Sequence, residues 1–472
     1  MEKRSQDKES IGGKRRALML DTPIARLIPK MALPTIVAML ISSVYSLADT
    51  YFVSSLGTAA TAAVGVNTSI DQTITMAGSF LAVGANSYIS RLLGGRQNKQ
   101  ASATLSTAFF SAIAFGIIVM VPGLLFTEEI VVFLGATDEA APFAVDYARY
   151  ILFAAPYMAA SFVLNQCLRS EGSPVFSMLG MGIGGVLNVI LDPIFIFTLG
   201  MGISGAAIAT AISKLVGFAV LIFPYLSRRS VLSLSFKNIS FASDILREVT
   251  LMGIPSLLRM GLSVAAGILV NNIAGSYSDS ALAATSVVTR IMMLPTSATL
   301  GFGQGFMPVA GYNWGARRFD RVKSAFRFSS AASLLLIAAV SVLIAVFSEQ
   351  IILCFTEDDA QLVNIGRLCL ISQCVVMPLN AWVIIVNMLY NGLGMPKGAI
   401  ILGMSRQGFC FIPVILLLPR LFGLDGVIYA QAVADFLSAV ITVPFAVKAV
   451  RAVAKAEKDA LSFPGEDGLR HG

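Results

Sequence analysis

Charge is scarce in this chain. Asp, Glu, Lys and Arg make up 13% of its 472 residues and hydrophobic residues 56%, whereas a soluble domain carries about 25% charged residues. So little polar surface can neither coat a globule nor keep an unfolded chain solvated, which excludes a soluble enzyme and a disordered protein. Histidine is nearly absent. The single one is His471, close to the C-terminal end, so histidine cannot act as a proton relay or metal ligand within the apolar segments. The five cysteines, Cys167, Cys354, Cys369, Cys374 and Cys410, form no CxxC pair. Four lie in or beside apolar runs, and free buried thiols are expected. No GxxxxGK[ST] loop, HExxH motif or Cys/His cluster is present, so neither ATP hydrolysis nor metal-assisted hydrolysis has its parts. The expectation is a non-enzyme without a cofactor.

What the chain has in abundance is apolar runs. A helix crosses a bilayer with about 20 apolar residues. After a basic stretch over 1–25, which lacks the features of a secretory signal and is expected to be a cytoplasmic tail, apolar segments occupy 31–54, 59–90, 101–126, 141–166, 174–198 and 205–226. A polar linker follows at 227–244, then six more segments at 245–274, 280–310, 324–347, 363–389, 398–419 and 425–447, and a tail over 449–472. The expected fold is an all-α polytopic membrane protein with twelve transmembrane helices in two six-helix lobes, 26–226 and 245–448. Of the 34 Lys and Arg residues, 27 fall on one set of alternate loops and the tails, while the opposite loops carry Glu128, Glu129, Asp138, Glu139, Glu357, Asp358 and Asp359. Positive loops stay in the cytoplasm, so both termini are expected there, in a cell-membrane protein. The net charge of +7 then reflects topology rather than a nucleic-acid partner. Asn238-Ile-Ser240 matches a glycosylation acceptor only in the linker, on the cytoplasmic side.

The two halves are repeats. A shift of 221 residues lays Pro34 on Pro255, Gly84 on Gly305, Gly94 on Gly315, Gly202 on Gly423 and Gly205 on Gly426, and one further residue lays Asn165, Gly172 and Pro174 on Asn387, Gly394 and Pro396. Six spans per half insert the same way up, which implies a pseudo-two-fold axis along the membrane normal and a cleft between halves that rock, the design of a secondary transporter.

A charge within a span costs about 2.5–3.5 kcal/mol on insertion scales and needs a reason. Asp49 lies near the outer end of span 1, Asn188 and Asp192 four residues apart near the outer end of span 5, and Thr210 a turn inside span 6. Two carboxylates with amide and hydroxyl oxygens suit Na⁺, and they suit a proton equally well; the alternative is that the two aspartates only cap or cross-link helices. The repeat mates are Val270, Phe409, Pro413 and Gln431, so the architecture does not demand these residues, and a function confined to one half is the better account. Tyr45, one turn before Asp49, could donate to it. Lys214 could neutralise Asp71 or Asp192 when no cation is bound, or form a structural ion pair. Arg259, Arg290 and Asp435 are expected to satisfy one another in the second half, and Arg169 to pair with Glu171 in a loop. Asn165 either lines the cleft or bonds across helices. Some of the Met and Phe residues should line an adaptable apolar pocket.

The stretches ALPTIVAML and ADTYFVSSLG in span 1, CLRSEGSP after span 4, NVILDPIFIFTLGMGISGAAIATAIS across spans 5 and 6, and GFGQGFMPVAGYNWGARR after span 8 together resemble the multidrug and toxic compound extrusion (MATE) family, over about residues 25–448. The details are most similar to the bacterial branch that includes staphylococcal-type multidrug exporters. That resemblance implies two six-helix lobes in a V and export of organic cations in exchange for H⁺ or Na⁺. The family's first-lobe cation site matches Asp49, Asn188, Asp192 and Thr210, its tyrosine matches Tyr45, and the proline at which span 1 bends matches Pro34. Some members carry a second acidic site in spans 7 and 10; this chain has Arg259 in span 7 and no acid within span 10. A monomer handling small-molecule drugs among membrane lipids is expected, with a lipid or lipid-linked glycan flippase of the same superfamily as the alternative, since such proteins line the cleft with basic residues to hold phosphates.

Overall fold

A chain this apolar must satisfy its backbone internally, and it does so with helices. The computed structural model describes residues 2–355 and 359–462, without the side chains of 2–10; Glu357, Asp358 and His471 lie outside them. The first half contains α1 (Glu2–Asp21), α2 (Ile24–Ser54), α3 (Thr58–Gly94), α4 (Asn98–Leu125), α5 (Thr127–Phe133), α6 (Ala141–Ser170), α7 (Pro174–Pro193) and α8 (Gly202–Leu226). The second contains α9 (Ser243–Gly275), α10 (Asp279–Gly315), α11 (Phe319–Val346), α12 (Ser348–Leu353), α13 (Ala360–Leu393), α14 (Pro396–Met404), α15 (Phe411–Phe422) and α16 (Leu424–Ser462). π-helical turns occupy Ile194–Thr198 after α7 and Ser405–Cys410 between α14 and α15. Among the described residues no strand occurs. Eleven helical stretches are long and apolar enough to cross a membrane, α14 and α15 counting as one. The twelfth is α3, whose 37 residues are ample in length but diluted by Asn67, Asp71, Gln72 and several threonines. All five cysteines are free, four of them buried and Cys354 exposed.

The helical structure reaches beyond the expected segments at both ends. The basic N-terminal stretch is helical over Glu2–Asp21, with Met19 and Leu20 buried and Arg15 bonded to Glu171 at 2.6 Å. The last span continues to Ser462; Ala449 and Val453 are buried and Glu457 pairs with Lys323. The linker is packed too. Ser230 donates to Glu171, the backbone N–H groups of Ser233 and Ser235 donate to the hydroxyls of Ser102 and Ser106 of α4, and Asn238 donates to Ser233.

The repeat is as exact in structure as in sequence. α3 and α10 both have 37 residues, α4 and α11 both 28, each pair starting and ending 221 residues apart. Arg96 and Arg317, one offset apart, share a left-handed backbone with φ 61° and 57°, rare for a residue with a Cβ. Gly172 and Gly394 do likewise at φ 77° and 72°, each ending a helix two residues before the proline that opens the next, where a missing N–H costs nothing. Asn165 Nδ2 donates to the Ser177 carbonyl at 3.0 Å, and Asn387 Nδ2 donates to the Ala399 carbonyl at 3.0 Å.

Two compact units result. The first comprises 1–18, 33–93 and 97–257, the second 19–32, 94–96 and 258–472. α2 and α9 each contribute to both. Pro34 and Pro255 both fall within three residues of the changeover along their helix, at positions where the backbone lacks a donor to the preceding turn. Within the first unit, a Cβ on Gly84 of α3 would lie 2.0 Å from the Val249 carbonyl of α9; within the second, a Cβ on Gly305 of α10 would lie 2.5 Å from Ala32 Cα of α2. Without a hydrophobic force between helices in lipid, such small-residue contacts supply the packing.

Candidate functional site

Glycines on two sides of α7 bring α2, α7 and α8 together in the first unit. On one side a Cβ at Gly184 would meet the Ser213 carbonyl of α8 at 3.0 Å, and one at Gly217 of α8 would meet the Gly180 carbonyl at 2.8 Å. On the other, a Cβ at Gly185 would lie 3.0 Å from the Ile41 side chain and 3.3 Å from the Tyr45 ring of α2. Continuing each helix by a turn or two from these contacts reaches Asp49 on α2, Asn188 and Asp192 on α7, and Thr210 on α8. Pro193 and the π-helical turn that follows end α7 directly after Asp192; such turns recur at functional sites because they redirect side chains that a regular helix would hold in register.

The four expected residues do converge. Asn188 Nδ2 donates to Thr210 Oγ1 at 3.1 Å and to Asp192 Oδ1 at 3.3 Å. Asn188, Asp192 and Thr210 are buried, and the Asp49 carboxylate lies within electrostatic range of Asp192. Three oxygens here are buried with no partner: Asp49 Oδ1, Asn188 Oδ1 and Asp192 Oδ2. An unsatisfied buried acceptor costs about 1–3 kcal/mol, more when charged. The other buried carboxylate oxygen without a partner among the described residues is Oε1 of Glu171, whose Oε2 already accepts from Arg15, Ser230 and the Val231 amide. The first-unit cluster therefore has acceptors to spare, three of them with no donor, the composition of a site for a cation or a proton. Among the described residues no group of three or more acidic, His or Cys side chains is placed to hold a metal ion.

Several neighbours are arranged differently from expectation. Tyr45 does not bond Asp49; its hydroxyl accepts from Lys214 Nζ at 2.8 Å, and the ammonium lies 5.1 Å from the Tyr45 ring centroid. Lys214 thus rests on the Tyr45 hydroxyl, within range of Asp49 and Asp71, and among the described residues it forms no ion pair. Asp71, on α3, belongs to the same electrostatic neighbourhood. Asn165 bonds across helices: its oxygen accepts from Arg169 and its amide donates to the Ser177 carbonyl. Arg169 is fully buried and also donates to Ser177 Oγ at 2.9 Å. It does not pair with Glu171, which faces Arg15, because Arg169 ends α6 pointing into α7 while Glu171 lies past the helix end.

In the second unit the expected trio of Arg259, Arg290 and Asp435 does not form. Asp435 is clasped by Arg406, a residue absent from the expected set, through Nε at 2.8 Å and a terminal nitrogen at 3.2 Å, and by Gln431 at 2.8 Å. Arg406 sits in the π-helical turn, which re-aims it toward α16. Arg290 is exposed on α10. One first-unit residue was also missed: Tyr147 of α6, buried, with its hydroxyl in reach of Thr210 and in the field of Asp49, Asp71 and Asp192. Its repeat mate is Leu368, so the same half-against-half asymmetry that marks Asp49 marks Tyr147.

The chain is similar to known proteins along most of its length. The chain is 28% identical over 420 residues to the multidrug export protein MepA of Staphylococcus haemolyticus, covering 89% of this chain and 92% of the relative. It is 29% identical over 423 residues to MepA of Staphylococcus aureus, with the same coverage. The structure superposes with a TM-score of 0.88 on an outward-facing multidrug resistance MATE family transporter of the MOP superfamily, at 26% identity, over 93% of this chain and 98% of that one. The MatE family model matches twice, at residues 34–194 and 255–417, one match in each repeat. With both halves matched and the twelve-helix fold in common, the chain belongs to the MatE family of MATE transporters.

Proposed function

We propose that this protein is a cation-coupled multidrug antiporter of the cell membrane, exporting amphipathic organic cations by alternating access in exchange for H⁺ or Na⁺, with both termini in the cytoplasm. The observation that carries the reading is the convergence of three donorless, buried oxygens, Asp49 Oδ1, Asn188 Oδ1 and Asp192 Oδ2, on helices α2 and α7. Asp49 and Asp192 repel each other while both are ionised. A proton on either, or Na⁺ held between them with Asn188 and Thr210 oxygens, removes that repulsion and lets α2 approach α7. A ligand shifts a conformational equilibrium only by its differential affinity for the two states, and this pair offers such a difference because one form is mutually repelled and the other bridged. Pro34 supplies the flexible point on α2, since the backbone bond to the preceding turn is missing there. An organic cation attracted by the same negative charge is disfavoured once the coupling ion has neutralised it, which links export of one to entry of the other. The staphylococcal relatives are named for multidrug export, and the repeat of two six-helix halves is the framework such exchange uses.

The test is ethidium efflux from loaded proteoliposomes of the full chain, with an H⁺ gradient and a Na⁺ gradient imposed separately. One of the two must drive efflux; efflux indifferent to both gradients, or gradient-driven efflux that survives substitution of both Asp49 and Asp192 by Asn, rejects cation coupling at this site.

A further inference from the structure

Among the described residues of the second unit, one positive charge within a span has no acidic partner. Arg259 lies at the midpoint of α9, sixteen residues from either end of Ser243–Gly275. At 1.5 Å per residue each helix end is about 24 Å away, too far for the side chain to snorkel into the aqueous boundary. Insertion of an arginine at such depth is costly, and the fold does not require one: the repeat mate of Arg259 is Ala38, which is fully buried. Among the described residues Arg259 has no ion pair and no hydrogen bond; its charged neighbour is Arg406, and Leu262, a turn further along, packs on Gly408 of the π-helical turn. The acid closest to hand is already spent. Asp435 Oδ1 accepts from Arg406 Nε and from Gln431, and Oδ2 accepts from the second Arg406 nitrogen. The packed spans around it supply no other at that depth: α13, α14 and α15 contain no Asp or Glu, Asp279 of α10 and Asp425 of α16 stand in first turns, and Glu457 and Asp459 stand near the far end of α16. Arg259 as a whole is partly exposed.

We infer that Arg259 is a recognition residue for an oxyanion, namely the carboxylate of a zwitterionic amphiphile carried by this transporter. A guanidinium presents a rigid planar fork of donors that matches a carboxylate, and an arginine left without a protein counter-charge in the membrane interior is stabilised when a ligand supplies one. That the ligand also carries a positive charge, and so is a zwitterion, rests on the proposed function above. The chain is thereby suited to molecules carrying both charges, not to simple cations alone.

The probes are a fluoroquinolone that is zwitterionic at neutral pH and its methyl ester, a cation of nearly the same shape without the carboxylate. Binding to the full chain in neutral-lipid nanodiscs is measured for wild type, Arg259→Gln and Arg259→Lys, with ethidium efflux as the measure of intact folding. Arg259→Gln is expected to weaken binding of the zwitterion by roughly tenfold or more, the loss of a charged hydrogen-bonded contact, while the ester and ethidium change by less than about twofold. Arg259→Lys should fall between wild type and Gln for the zwitterion alone. Equal losses for zwitterion and ester, or no loss for either, overturn the inference. So does release of a co-purified anionic lipid from Arg259→Gln without any change in zwitterion binding, which would make the oxyanion a headgroup phosphate. A wild-type protein that binds the two probes differently but pumps ethidium under neither gradient would reject export and leave the anion site standing.

Discussion

Substituting Asn for Asp192 removes one charge while leaving the shape of the site in place. Asp192 Oδ1 accepts from Asn188 Nδ2 at 3.3 Å, and an amide oxygen accepts that bond equally. Oδ2 has no partner, so an NH₂ in its place breaks no contact. The fold should therefore survive. What is lost is attraction for the coupling ion. At an effective dielectric constant near 20, a unit charge about 4 Å from a cation contributes ~4 kcal/mol, which corresponds to about a thousandfold in affinity. If the coupling ion is H⁺, the amide cannot take it at all. Neighbouring Asp49 cannot compensate, because it carries one charge of the pair and cannot by itself restore the attraction of two. Gradient-driven ethidium efflux in proteoliposomes should thus fall to the passive rate, and equilibrium binding of ethidium, which the same charge attracts, should weaken and lose its dependence on the coupling ion. Asp49→Asn should behave the same way, and the double variant no worse than either single one, since both disable one site. Efflux by the double variant within twofold of wild type, at equal reconstitution, would refute the coupling role of this pair.

Three further outcomes follow from single contacts. Lys214→Met removes a tethered ammonium that competes with the coupling ion for the field of Asp49 and Asp71, so the ion concentration giving half-maximal efflux should drop several-fold; an unchanged value would show that Lys214 only props Tyr45. Arg406→Gln leaves the Asp435 carboxylate, 4% exposed, with Gln431 alone, and should destabilise the protein by about 3–5 kcal/mol in thermal unfolding in detergent, with Asp435→Asn added on the same chain restoring most of it. Gly84→Ala forces a Cβ to 2.0 Å from the Val249 carbonyl, a backbone atom that cannot rotate away, and should cost ~1–3 kcal/mol or more, whereas Gly267→Ala, with nothing within 4 Å, should leave the unfolding temperature unchanged.

Composition and periodicity were enough to establish the membrane class, the number of helices and the repeat, because a bilayer allows few solutions: a span must be apolar, long and internally hydrogen-bonded. Duplication then wrote the element ends twice, and the matching Gly172 and Gly394, Arg96 and Arg317 turns show that the same residues end the same helices in both halves. The comparison of halves also exposed Asp49, Asn188, Asp192 and Thr210, since polar residues present in one copy alone cannot be there for the shared architecture. Pairing was not legible in the same way. Which acceptor Lys214 finds, and that Arg406 rather than Arg259 clasps Asp435, depends on rotations about helix axes set by glycine contacts and on the π-helical turn at Ser405–Cys410, which shifts every following side chain out of the regular 3.6-residue phase. A one-dimensional pattern carries the depth of a residue along its helix but not the direction in which it points. That direction is fixed only when α2, α7 and α8 close upon Gly184, Gly185 and Gly217, and it is what leaves three oxygens without a donor in one unit and one arginine without an acid in the other.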